Sequence, residues 1–82
     1  RRAAAAAAAP TRSPSTLRRL LKDVEKELAA LRRKQARLTE ALIGVVDHEA
    51  LARTGAELAE IDAAVAAAEE RWLGAATELD DT

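Results

Sequence analysis

Five basic side chains recur in the first half of the chain at spacings that place them on one face of a helix, here called the basic stripe. They are Arg19, Lys22, Lys26, Arg33 and Arg37. At a rise of ~1.5 Å per residue the stripe covers about 27 Å. Phosphate contacts need only spaced positive charge, so the stripe predicts contact with a nucleic-acid backbone. A solvated helix face that binds nothing is the alternative that these residues leave open.

Residues suited to catalysis or metal binding are scarce. His48 is the only histidine, and there is no cysteine. Adjacent side chains on a helix point in different directions, so Asp47, His48 and Glu49 form no convergent metal site. They are better explained as a helix cap followed by polar residues of the first turn. We therefore expect no catalytic residue, no metal and no cofactor-binding residue in this chain.

The composition is typical of long helices rather than of an ordinary globular core. The 82 residues include one Trp and no Phe, Tyr, Met or Cys, while 49% are apolar and 33% are charged. No apolar run approaches the roughly 20 residues of a membrane-spanning helix. The charge is uneven, because residues 17–40 carry eight Lys or Arg and four Asp or Glu, whereas residues 47–82 carry two Arg and ten Asp or Glu. Coiled coils combine these features.

Apolar residues recur in alternating steps of three and four, the a/d spacing of a heptad repeat. This apolar stripe, here called the seam, predicts a helix over about 14–43, capped by Ser13, a turn over about 44–47 at Gly44, and a helix over about 48–80, capped by Asp47. Residues 1–13 contain seven alanines and two residues that interrupt helices, so we expect a disordered Ala/Pro-rich linker. The seam positions are Leu17, Leu21, Val24, Leu28, Leu31, Gln35, Leu38, Leu42 and Val45, then Leu51, Thr54, Leu58, Ile61, Val65, Ala68, Trp72, Ala75 and Leu79.

The two seams match if the chain folds back near residue 48, which predicts an all-α, two-helix antiparallel coiled-coil hairpin. Facing residues then have numbers that sum to about 96, so that Val24 faces Trp72. Charges beside the seam are expected to pair as Arg32 with Asp62 and Glu27 with Arg71, while Glu25 and Glu69 form a like-charge mismatch. Gln35 is expected to fix the register. Two separate helices that join other chains in parallel are the alternative, which the short connection disfavours.

Several segments resemble the C-terminal coiled-coil domain of ABC-F ATP-binding cassette proteins of the Uup type. The distinctive element is Glu70-Arg71-Trp72, within Ala68–Leu73; Ala56–Ile61, Leu28–Arg33 and Val46–Leu51 are also similar. The resemblance implies a parent chain with two ATP-hydrolysing cassettes that bind ATP outside this fragment, without membrane spans. It also implies a linker before this domain, DNA binding by the domain, and association of the parent with the ribosome.

Together these patterns predict an accessory domain that binds DNA or ribosomal RNA and also contacts the ATPase cassettes of its parent chain. A structural spacer or a protein-docking hairpin is the rival, for which the apolar tip formed by residues 43–46 offers a contact patch. The absence of an initiator Met indicates a fragment of a longer protein. We expect a cytoplasmic location, no membrane partner and a monomeric fragment, although Leu20 and Leu73 lie off the seam and could widen an apolar face.

Overall fold

The computed structural model describes residues 12–81, which form two long helices packed against each other. Helix α1 spans Pro14–Leu42 and helix α2 spans His48–Asp80. Arg12, which directly precedes the cap of α1, lies beside Glu78 near the end of α2, so the helices are antiparallel. The predicted two-helix antiparallel hairpin is confirmed. Most of the predicted linker, residues 1–11, lies outside the described residues.

Both helices begin at residues whose side chains satisfy exposed backbone amides. Ser13 Oγ accepts a hydrogen bond of 3.2 Å from the amide of Thr16, and Pro14 occupies the first helical position. Asp47 Oδ2 accepts a hydrogen bond of 3.0 Å from the amide of Ala50. Free amides in the first turn are the groups that a helix cannot satisfy by itself, so these caps fix where each helix starts.

The connection between the helices is five residues long and depends on one glycine. Helix α1 ends at Leu42, with Ile43 as its cap, and Gly44 follows with φ of +80°. This left-handed conformation is disfavoured for residues that carry a Cβ and is the usual way to end a helix with glycine. The chain can therefore turn within a few residues and bring α2 back along α1.

The core lies along the seam and is fully closed at only a few positions. Leu17 and Val24 of α1 are buried, as are Val65, Ala68 and Ala75 of α2. The other seam positions are half-buried, with one exception. Leu51 was expected in the seam but is 42% exposed, because its facing position falls in the loop after α1 has ended.

Cross-helix polar contacts fix the register close to the predicted one. Glu27 and Arg71 form the expected ion pair, with 2.7 Å between Oε2 and Nη2. The amide Nε2 of Gln35 donates to Asp62 Oδ1 at 2.6 Å, so Gln35 bridges the helices at the seam edge. The residue numbers of these facing pairs sum to about 97.

The expected Arg32–Asp62 pair is wrong, because Arg32 instead forms an ion pair with Glu69. Helical side chains lean towards the N-terminus of their own helix. In an antiparallel pair, Arg32 and Glu69 therefore lean towards each other, which a comparison of Cα levels alone does not show. The expected like-charge mismatch at Glu25 and Glu69 is thereby relieved, since Glu25 accepts a hydrogen bond from Trp72 instead.

Neither helix, within residues 12–81, combines the length and apolar character required to cross a bilayer.

Candidate nucleic-acid interface

The basic stripe lies on the outer surface of α1, on the side turned away from α2. All five of its side chains are exposed. Arg19, Lys26 and Arg33 share the same heptad position, so they lie in a row along the helix, with Lys22 on one side of that row and Arg37 on the other. The seam beneath the row holds Val24 and Leu31, which anchor α1 on α2 and leave the cations facing solvent.

Arginines at the edges of the hairpin behave differently from those of the basic stripe. Arg12, Arg32 and Arg71 each form an ion pair with a glutamate of the opposite helix or helix end. By contrast, none of the five stripe residues forms an ion pair or side-chain hydrogen bond with another residue of the described part, 12–81. No ion pair within this part of the chain therefore neutralises their positive charge.

Two further cations of α1 were not singled out from the sequence. Arg18 and Lys34 are exposed and, among residues 12–81, have no ion-pair partner. Each lies beside the seam, where a cross-helix carboxylate was the simpler expectation for a basic residue. Arg18 adjoins Arg19, so it extends the positive surface towards the edge of the hairpin.

One end of the basic stripe meets acidic side chains. Arg37 and Lys34 line a shallow groove of about 300 Å³ together with Leu38, Ile61 and the carboxylates of Glu57 and Glu60. An approaching phosphate at this groove would meet both signs of charge. The groove thus distinguishes Arg37 from Arg19, Lys22 and Lys26, and the strongest uninterrupted positive surface lies towards the first half of α1.

The acidic second helix also acts on the stripe at longer range. Helix α2 carries eight Asp or Glu and two Arg, whereas α1 carries eight Lys or Arg and four Asp or Glu. Packed helices lie about 8–10 Å apart, close to the Debye length of about 10 Å at 0.1 M salt. Screening therefore reduces, at moderate salt, the repulsion that α2 exerts on a nucleic acid bound to α1.

Trp72 holds the scaffold beneath the first half of the stripe. Its indole is half-buried between Ala68 and Ala75, whose small side chains are fully buried and leave space for the ring. The indole Nε1 donates a hydrogen bond of 3.1 Å to Glu25 Oε2 on α1. Trp72 is thus a packing residue, and it is not placed to stack on a base at the basic stripe.

Hydrogen bonds across the hairpin shift the pKa of Arg71 and the pKa of Glu78. The hydrogen bond and the charge of Glu27 raise the pKa of Arg71. Hydrogen bonds from the Arg12 side chain and backbone lower the pKa of Glu78. Each shift favours the charged form, as expected when opposite charges meet. Among residues 12–81, no three acidic, histidine or cysteine side chains converge to hold a metal ion.

Comparison with known proteins gives one finding. A family model described as "ABC transporter C-terminal domain" matches residues 14–75. The match begins at the first residue of α1 and ends inside the last part of α2. Neither the search of curated proteins nor the search of solved structures found a match. Because the family model covers most of the chain and its helices, this hairpin belongs to the ABC transporter C-terminal domain family.

Proposed function

We propose that the hairpin is an accessory nucleic-acid-binding domain, in which the basic stripe of α1 contacts the phosphate backbone of DNA or ribosomal RNA. One observation carries this function: five exposed cations share one face and are not paired within residues 12–81. A row of unpaired cations attracts nucleic acid, because binding releases the counterions that are condensed on the phosphates. The match to a C-terminal domain family supports an accessory rather than a catalytic role.

The parent protein is proposed to be an ATP-hydrolysing ABC protein of the ABC-F, Uup-like group that works in the cytoplasm. Support comes from the family match and from the resemblance carried by Glu70-Arg71-Trp72. ATP would bind the cassettes of the parent and not this hairpin. The cassettes are then the hairpin's intramolecular partners, and the nucleic acid is the external one.

Binding through the stripe is electrostatic and therefore depends steeply on salt. If all five side chains engage a DNA duplex, affinity falls by about 500-fold between about 50 and 200 mM salt. Base identity contributes little, because the single tryptophan lies in the seam and no other aromatic residue is present. Discrimination would rest on the shape of the nucleic acid or on the parent protein.

The test is a fluorescence-anisotropy titration of labelled duplex DNA and of a structured RNA, at low and moderate salt. The triple variant Lys22→Gln, Lys26→Gln and Arg33→Gln removes three positive charges. Its matched control, Ala56→Glu, Ala63→Glu and Ala67→Glu, changes the net charge by the same amount on exposed positions of α2. The proposal expects the first variant to lose at least tenfold in affinity and a smaller loss for the control, with equal helicity by circular dichroism.

Equal losses in the two variants would mean that net charge, and not the stripe, controls binding. A wild-type chain that binds neither ligand at low salt would sink the proposal for this domain. The second candidate, a spacer or protein-docking hairpin, would then take its place. The observation that favours it is the apolar tip, where Ile43 is 77% exposed and Val46 is 93% exposed.

A further inference from the structure

An apolar groove runs between the helices on one broad face of the hairpin. It has a volume of about 460 Å³ and is lined by Glu25, Leu28, Glu69, Trp72 and Leu73. Its floor is mostly hydrocarbon, because Leu28 and Trp72 sit half-buried at the seam beneath it. A groove of this kind exposes apolar surface that a partner could cover.

Leu73 stands beside this groove as an exposed apolar side chain. It is 59% exposed although it lies next to Trp72 in the packed part of the hairpin. Leu20, the other leucine outside the seam, does not extend the same surface. It shares the heptad position of Glu27, whose partner Arg71 marks the opposite broad face. Leu20 and Leu73 therefore lie on opposite faces of the hairpin, and only Leu73 adjoins the groove.

A protruding side chain and a recess on the same face are what a two-fold symmetric contact requires, because each copy must supply both. The charges of the helices select the orientation. On the side of the groove, α1 carries Arg18 and Arg32 beside Glu25, whereas α2 carries Asp62 and Glu69. A two-fold axis parallel to the helices places α1 of one copy over α2 of the other, so these arginines meet the carboxylates of the second copy. An axis across the helices would instead place α1 over α1 and bring like charges together.

The same orientation brings the leucine to the recess. An axis parallel to the helices keeps each residue at its own level along the hairpin. By the observed register, Leu73 lies at the level of the residues before Glu25 on the facing helix, beside the wall that Glu25 and Leu28 form. Leu73 of one copy is therefore positioned to pack against the groove of the other.

We infer that a second copy of this chain covers the groove, giving a parallel dimer of hairpins in which Leu73 of each copy packs beside Leu28 and Trp72 of the other. The hairpin extends 57 Å along and 24 Å across this face, which leaves room for an interface of the roughly 800 Å² per partner that stable complexes bury. A dimer would also bury more apolar surface than a single hairpin, in which only five side chains of residues 12–81 are buried. Small domains often gain stability by such association. This dimer is independent of nucleic-acid binding.

Sedimentation equilibrium of the 82-residue chain over a wide concentration range tests the dimer. The mass is expected to rise from 8.7 kDa to twice that value as concentration increases, with a blue shift of Trp72 fluorescence over the same range. Leu73→Glu should weaken the association at least tenfold, and Leu73→Gln should weaken it less. Ala67→Glu is the matched control, with the same new charge on an exposed position of α2 away from the groove.

The orientation is tested with spin labels on single cysteines, since the chain has none of its own. Labels at Ser15, near the chain ends, or at Val46, at the tip, should each give one distance close to the width of the hairpin rather than to its 57 Å length. A monomer at every concentration overturns the inference, as does equal weakening by Leu73→Glu and Ala67→Glu. A distance near the full length would overturn the parallel arrangement.

Discussion

The half of the hairpin that contains the start of α1 and the end of α2 is packed more tightly than the half near the tip. Leu17, Val24, Ala68 and Ala75, each at most 1% exposed, lie in this half, and Val65, which is 7% exposed, lies near the middle of the hairpin. In the tip half, the seam contains the polar residues Gln35 and Thr54, and every seam position there is at least partly exposed. Ala68 and Ala75 leave space for the ring of Trp72, so this half of the seam is filled more completely than the tip half.

The contrast teaches how a two-helix domain without disulfides can remain folded. Fully buried apolar surface contributes most of the favourable free energy, roughly 1.5–3 kcal/mol for each large side chain. In this hairpin the buried apolar surface is concentrated near Trp72. The tip half has less of it and is held in place mainly because both helices continue into it from the packed half. Regions with few buried contacts open most readily, so the tip is expected to be the first part of the hairpin to unfold locally.

The largest effect is expected from Trp72→Ala, which removes the largest side chain from the packed half. We expect unfolding free energy to fall by about 3 kcal/mol, below the highest values for buried tryptophan because the ring is only half-buried. Leu58→Ala in the tip half should cost about 1 kcal/mol, since its surroundings are already open to water. Chemical denaturation at a concentration where the chain is monomeric measures both, and equal losses would remove the contrast between the halves.

An intermediate effect is expected from Gly44→Ala at the turn. A Cβ at this position would touch nothing within 4 Å, so the cost is conformational and not steric crowding by neighbours. Holding alanine at φ of +80° should destabilise the hairpin by about 1 kcal/mol. Gly55→Ala, in the interior of α2 with equally open surroundings, is the control and should be neutral or stabilising. A thermal melt that shows the same change for both variants would contradict this account of Gly44.

The smallest effect is expected from the contact of Arg12 with Glu78 at the chain ends. Because the pKa of Glu78 is lowered in the folded state, its contribution to stability is present above the pKa of the unfolded chain. That contribution disappears as pH falls through the folded-state pKa. Arg12→Gln should return the pKa of Glu78 towards its ordinary value, as followed by NMR titration. An unchanged titration curve would show that the pair does not persist in solution.

The heptad repeat, the short connection and the charges beside the seam predicted the antiparallel fold, the register to within about one residue and the Glu27–Arg71 pair. These follow from periodicity and backbone geometry. The Arg32–Glu69 pair depends on the lean of side chains along each helix, and the exposure of Leu51 depends on where α1 stops. An assignment of a and d positions gives neither the direction in which side chains lean nor the residue at which a helix ends. Exposure of the basic stripe follows from its heptad positions, whereas the lack of partners among residues 12–81 required knowledge of which carboxylates the other arginines occupy.

Arg12 was assigned to the linker, yet its backbone amide and its guanidinium both bind Glu78. Three hydrogen bonds thus join this one residue to the end of α2, which restricts rotation about the chain at that point. The hairpin is 57 Å long, so a small rotation at this end produces a much larger displacement at the other end. A rotation applied at residue 12 would therefore displace Ile43 and Val46 at the tip the most.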